Sequence, residues 1–209
     1  MSIQKVSKVL IVISGPSGVG KSTIAVNLMR DCRDVLCKIV TYTTRTPRKN
    51  ELDKIDYNFI TKMQFETLIN ENFFAEHNLF GDNIYGISMQ SVTQATRHNK
   101  IYLTVIDNNG YYNILRFADP KKIIGIFLLP PSLKELQERL FKRQDDNVIV
   151  ADRQNIIAQL KYLDLYNYII VNDQQDITQN IIKQIIATAQ YMIGMCDVTE
   201  LTANLINLK

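Results

Sequence analysis

Eight consecutive residues carry the most specific chemistry in this chain: Gly15-Pro16-Ser17-Gly18-Val19-Gly20-Lys21-Ser22. They fit G-x-x-x-x-G-K-[ST], the spacing of a loop that holds phosphate groups. Glycines let the backbone turn tightly, with successive N–H groups aimed inward at an anion. A helix opening at the same point adds a partial positive charge. Lys21 would reach the β- and γ-phosphates of a bound triphosphate, and the Ser22 hydroxyl would ligate Mg²⁺. The alternative is a glycine-rich strand-to-helix turn that holds nothing, although a lysine brings no benefit to the end of a buried strand.

Three further sets of side chains could work with this loop. Arg45-Thr46-Pro47-Arg48 puts two guanidinium forks on a segment that Pro47 stiffens, which suits a dianionic phosphate; a solvated basic turn is the alternative. Asp107 closes an apolar run, where a carboxylate could hold Mg²⁺ through water or could cap the helix that follows. Arg139 and Arg143 are four residues apart on one helix face, either around an anion or with Arg139 paired to Glu135.

The elements that must position these groups follow from periodicity. Val9–Ile13, Lys38–Thr41, Lys100–Asp107, Ile123–Leu129 and Tyr168–Val171 read as strands. Ser22–Cys32, a helix starting at Ser132 with Glu135 at the capping-box spacing, and Thr178–Met192 read as helices, the last with Ile181, Ile182, Ile185, Ile186 and Ala189 facing inward. This alternation predicts an α/β fold with a parallel sheet covered on both faces. Residues 43–88 break the rhythm. They are polar and aromatic, with a strand over Asp56–Ile60, a helix capped by Thr61 and Gln64, and a turn at Gly81-Asp82-Asn83. A second irregular stretch, Gln144–Asp152, interrupts two helical segments, and both pieces could fold over a site.

Composition narrows the classes. The 209 residues are 46% hydrophobic and 22% charged, which excludes a disordered chain. A net charge of +3 is too small to make nucleic acid the expected partner. Cys32, Cys37 and Cys196 show no disulfide spacing, and with His77 and His98 they offer no zinc pattern. No apolar run approaches a membrane span or a secretory leader, so a cytoplasmic protein is expected.

Taken in order, Ser14 through Thr23, Thr43-Thr44-Arg45-Thr46-Pro47-Arg48, Glu51, Asp56-Tyr57, Glu76, Tyr85-Gly86, Asp107, Pro130-Pro131-Ser132, Arg139-Leu140, Arg143, Arg153 and Ile170-Val171-Asn172-Asp173 resemble the guanylate kinase family. The match spans about Val9 to Ala187, and the phosphate loop combined with T-T-R-x-P-R is specific to that family. The resemblance implies ATP-dependent phosphorylation of GMP, and of dGMP, to the diphosphate, with Mg²⁺. It implies a P-loop NTPase three-layer core (1–41, 89–143, 154–192), an inserted α+β segment for the monophosphate (42–88) and a short helical lid (144–153). Carried over by position, residues 15–23, with Thr23 next to Ser22, look like the ATP cradle and Asn172 like the residue beside adenine. Arg45, Arg48, Tyr57 and Tyr85 look like ligands of the GMP phosphate. Thr41 and Glu76 look like readers of the base, with Asp107 close by. Lys21, Arg45, Arg139, Arg143 and Arg153 look like the cations that act on the moving phosphoryl group.

Glu76 has its own chemical logic. Guanine presents N1–H and N2–H₂ side by side, and one carboxylate can accept both. Some positions depart from the family pattern: Ile87 lacks a hydroxyl unless Ser88 supplies it, Val105 replaces an acidic residue, and Asn50 and Lys54 replace glycines. Beyond about Tyr191 the likeness ends. Val198, Leu201, Leu205 and Leu208 in the tail (193–209) recur at helical spacing, which fits docking on the core, self-association or fraying. A monomer or homodimer acting on small molecules is expected, with no nucleic acid or membrane partner. The alternatives are a kinase of another small phosphorylated acceptor, and a non-catalytic interaction module of the same fold. An intact Gly20-Lys21-Ser22 argues against the module.

Overall fold

The computed structural model describes residues 8–49, 51–98, 100–141 and 153–189. In chain order, β1 (Lys8–Ser14) leads through α1 (Lys21–Asp31) to β2 (Leu36–Lys38), and then to β3 (Tyr42–Thr43), β4 (Asn58–Phe59), α2 (Lys62–Asn70), β5 (Phe74–Phe80) and β6 (Asn83–Ser88). The chain continues as α3 (Met89–Arg97), β7 (Lys100–Val105), α4 (Asn108–Phe117), β8 (Ile123–Leu129), α5 (Leu133–Phe141), α6 (Arg153–Leu160), β9 (Tyr168–Val171) and α7 (Gln175–Ala189).

Two sheets result. β1 is apolar on both faces because it lies mid-sheet, parallel to β7 on one side and β8 on the other, in the order β2-β7-β1-β8-β9. Its alternate residues feed two cores. Val9, Ile11 and Ile13 pack with Ile24 and Leu28 of α1, Leu136 and Leu140 of α5, and Ile182 and Ile186 of α7. Leu10 and Val12 pack with Val92 of α3, Tyr111 and Ile114 of α4, and Tyr166. Helices on both faces of a parallel sheet give the three-layer α/β core that the alternation predicts. The second sheet, β4-β3-β6-β5, takes all its strands from residues 42–88.

The boundaries show where local pattern and tertiary pairing part company. Ile123–Leu129 and Tyr168–Val171 are strands as expected. The strand expected at Lys38–Thr41 instead lies at Leu36–Lys38, where register with β7 aligns Leu36 with Ile101, and Tyr42 leaves to join the second sheet. Asp56–Ile60 contributes only Asn58–Phe59. Thr61 and Gln64 form the full capping box of α2. The Ser132 hydroxyl accepts from the Glu135 N–H at 3.1 Å, as the spacing required. The last helix begins at Gln175, earlier than expected, and Ile181 is 39% exposed instead of inward-facing. Lys54 takes a left-handed φ of 64°, a conformation better suited to glycine.

One contact ties the second core together. Tyr111 stacks on Tyr166 at 4.3 Å, and its hydroxyl donates to Leu165 O at 3.0 Å while lying against the bare Cα of Gly125. A Cβ at position 125 would sit 2.1 Å from that hydroxyl. Gly125→Ala should therefore lower stability by about 1–3 kcal/mol through overpacking. The check is a lower urea midpoint at unchanged m.

Candidate active site

The glycine loop leaves β1 by passing close under β8. A Cβ on Gly15, whose φ is 141°, would lie 2.4 Å from Leu128 O. Gly20, at φ 105°, is the N-cap of α1 and offers no side chain to the helix. The first turn of α1 contains no acidic residue either. A helix end with neither a side-chain cap nor an acidic first turn is what an anion-binding site requires. Lys21 folds back over the loop, and its Nζ donates to Gly15 O at 2.7 Å and Pro16 O at 2.8 Å. Ser22 and Thr23 are exposed, and Val19 is buried.

A buried network supports the loop from below. Asn172 Nδ2 donates to Val19 O at 2.7 Å, and a Cβ on Gly20 would meet that amide at 2.6 Å. Arg139 Nη1 donates to Asn172 O at 3.0 Å, and its Nη2 donates to Glu135 Oε1 at 2.5 Å. The Glu135 pairing that spacing left open is therefore present, and Asn172, 4% exposed, lies beneath the loop and outside the cleft wall.

The loop faces a cleft of about 250 Å³ whose lining joins Gly15, Ser17, Gly18, Gly20, Lys21 and Ser22 to Thr41, Tyr57, Glu76, Tyr85 and Asp107. Residues far apart in sequence, including five of the seven substrate-side positions named above, therefore share one cavity with the phosphate loop. Arg45 lies beside Tyr57, and neither it nor Arg48 is among the residues that line the cleft. The Arg45 guanidinium lies 5.4 Å from the Tyr57 ring centre and donates to Glu51 Oε1 at 2.8 Å, while the Arg48 N–H donates to Glu51 Oε2 at 2.8 Å. Burial works to raise the Glu51 pKa, but these donors win and hold it below the usual carboxylate value. Glu51 was visible only as part of a motif; its clamp on both arginine positions depends on a turn geometry that spacing does not reveal.

Two carboxylates line the cleft. Glu76 is 6% exposed, and its Oε2 has no hydrogen-bond partner in the structure. Burial, then the charge of Asp107, pushes its pKa up to about 8. Asp107 caps α4: its Oδ1 accepts from the Gly110 N–H at 2.8 Å, and its Oδ2 accepts from Asn78 Nδ2 at 2.5 Å. The N-cap reading of Asp107 is thus realised while the residue still lines the cleft. Gly110 also touches Glu76, since a Cβ there would lie 2.7 Å from Glu76 Oε2. Ile87, directly opposite Glu76 across the β5–β6 pair, is fully buried. Ser88 does not replace the missing hydroxyl, because it caps α3 and pairs with Ser91 at 2.8 Å. Val105, Asn78 and Gln159 also line the cleft. Strand alternation from Glu76 could have pointed to Asn78; nothing local marks Gln159. Arg153 opens α6. Arg143, Asn50, residues 144–152 of the expected lid (144–153) and the tail lie outside the described residues.

Among the described residues no cluster of three His, Cys, Asp or Glu could hold a metal alone, and no helix is long and apolar enough to cross a membrane. A Mg²⁺ ion bridging phosphates needs fewer protein ligands, and the Ser22 hydroxyl and Asp107 carboxylate in one cleft fit that demand.

A glycine loop between a central parallel strand and an uncapped helix, on a five-stranded parallel sheet, defines a P-loop α/β protein. The family model for guanylate kinase matches residues 7–189. A guanylate kinase of Schizosaccharomyces pombe is 37% identical over 168 residues, covering 78% of this chain and 82% of the relative. One from Clostridium perfringens is 35% identical over 203 residues, covering 96% and 90%. The crystal structure of guanylate kinase from Anaplasma phagocytophilum superposes with a TM-score of 0.73 at 26% identity, over 91% of this chain and 90% of that one. This chain belongs to the guanylate kinase family.

The position of Glu76 has a measurable consequence. Its folded pKa lies above the unfolded value, so the folded state favours the proton. Below about pH 4.5 both states hold that proton; between there and about pH 8 only the unfolded carboxyl ionises, and stability falls. Above about pH 8 the deficit is constant. Urea titrations from pH 5 to pH 8 should show wild type losing on the order of 1–3 kcal/mol relative to Glu76→Gln.

Proposed function

We propose that this protein transfers the γ-phosphoryl group of ATP to the phosphate of GMP, and to that of dGMP, yielding ADP and the diphosphate. The observation that carries this reading is the shared cleft, which joins an uncapped helix end and Lys21 to Glu76, Tyr57, Tyr85 and Asp107. Residues 15–23 would cradle the triphosphate. Arg45 and Arg48, held by Glu51, together with Tyr57 and Tyr85, would receive the GMP phosphate. Thr41 and Glu76 would read the base. Glu76 Oε2 is buried without a partner, and a guanine N–H donating to it would favour the ionised carboxylate over the protonated form that burial favours in the free protein. Adenine offers an acceptor at N1 and would leave that carboxylate unpaired, a large penalty in a buried site.

The reaction needs no general base, because the acceptor phosphate is already an anionic nucleophile. The chain's task is alignment and cancellation of charge. Mg²⁺, held by Ser22 and, through water, by Asp107, would supply further neutralisation of the phosphates. Lys21 would leave its two loop carbonyls for the phosphates, an exchange that keeps its donors satisfied. Arg139, with Arg143 just before residues 144–153 and Arg153 at their end, would act on the transferred group. That segment would act as the lid and residues 42–88 as the GMP-binding insertion. Lid closure would keep water out, since water would otherwise accept the phosphoryl group. Asn172 would serve the nucleotide by holding Val19 and Gly20. The protein would act on small molecules in the cytoplasm, as a monomer or homodimer.

The deciding experiment is a coupled assay of ADP release from ATP–Mg²⁺ with GMP, dGMP, AMP, UMP and CMP in parallel. GMP should exceed AMP by at least about a hundredfold in kcat/KM; equal use of AMP would refute the reading. Lys21→Ala should lower kcat by about 10²–10³-fold while the urea midpoint holds. Arg45→Ala should raise KM for GMP about tenfold or more and leave KM for ATP nearly unchanged, as measured by steady-state kinetics.

A further inference from the structure

Asn78 sits on β5 two residues beyond Glu76, so both side chains leave the same face of the strand, and both line the cleft. Its amide donates to Asp107 Oδ2, while Gly110 N–H occupies Oδ1. Asp107 is therefore held from two sides, by the second sheet through Asn78 and by its own helix through Gly110. A carboxylate has about four lone-pair sites, so Asp107 keeps acceptor capacity toward the cleft after both bonds. Glu76 is different, with Oε2 buried and unpartnered and the Gly110 Cα against it. Two carboxylates at one end of a cleft repel each other, and an amide N–H fixed on one of them offsets that repulsion.

We propose that Asn78 is a positioning residue for the acceptor nucleotide, whose amide fixes the Asp107 carboxylate beside Glu76 so that the two together face the N–H groups of guanine. The proposal rests on the GMP-phosphorylating reading above. Guanine has three such hydrogens, one on N1 and two on the 2-amino group. A single carboxylate takes one from each nitrogen, which leaves one amino hydrogen for a second acceptor. Removal of the 2-amino group, as in IMP, abolishes that demand. Asn78 acts through Asp107 and touches the second sheet, so its loss should weaken acceptor binding and spare the ATP side.

The test uses the full chain with ATP–Mg²⁺ as donor and GMP or IMP as acceptor, with calorimetric GMP binding alongside. Asn78→Ala should raise KM and Kd for GMP about tenfold. KM for ATP should stay within about twofold, kcat within about threefold, and the preference for GMP over IMP should shrink. Asn78→Asp, the same size with an acceptor in place of the donor, should lose more. In an Asp107→Asn background Asn78→Ala should add little, because the two act through one bond. If Asn78→Ala does not fold, Asn78→Ser decides by the same ratios. An unmoved GMP constant, an equal rise for GMP and ATP, or full additivity with Asp107→Asn would overturn the role of Asn78. Wild type that fails to phosphorylate GMP would overturn the activity itself; wild type that turns over GMP while ignoring Asn78 substitutions removes only this residue's part.

Discussion

The organisation of this protein turns on a helix that starts without a cap. Gly20 gives the head of α1 no side-chain cap, and no acidic residue lies in the first turn. A backbone in that state is stable only if the fold holds it rigidly and leaves a place for an anion. The buried central strand supplies the rigidity, with β8 pressed against Gly15 and the Asn172 amide beneath Val19. Lys21, turned onto the loop's own carbonyls, keeps the cluster of donors and acceptors balanced in the free protein. The helices on both faces and the second sheet across the cleft extend from this one commitment.

Much of the core could be read from residue order. The run IIGIFLL is a strand buried along nearly its whole length inside the sheet, so apolar content alone marks it. YIIV, by contrast, is the edge strand, with Ile169 and Val171 exposed and only Ile170 buried. The Thr61–Gln64 and Ser132–Glu135 spacings mark real helix starts, because capping is a local bond. Short strands were less legible. Leu36–Lys38 depends on its register with β7, and Asn58–Phe59 on pairing with β3, which are long-range choices that no window of a few residues contains.

The site divides the same way. The phosphate loop and the paired arginines have dense local signatures. Glu76 has none: by itself it is a carboxylate in a polar hairpin, and only the packing of α4 against β5 buries it. Resemblance identified it, and the structure explains its character through desolvation and the nearby Asp107. Glu51 and Asn78 show the opposite limit, since each acts by gripping another side chain. Of the departures from the family pattern, Val105 lines the cleft as an apolar residue while Ile87 is buried opposite Glu76, and Asn78 and Gly110 are the groups that hold the Asp107 carboxylate.

Gly110 sets how this region can change over generations. Its neighbour Asn109 is exposed and can drift freely, whereas any side chain at 110 must push aside the Glu76 carboxylate. The codon at 110 is thus held by what the cleft accepts, while those on the outer turns of α4 answer only to helix propensity.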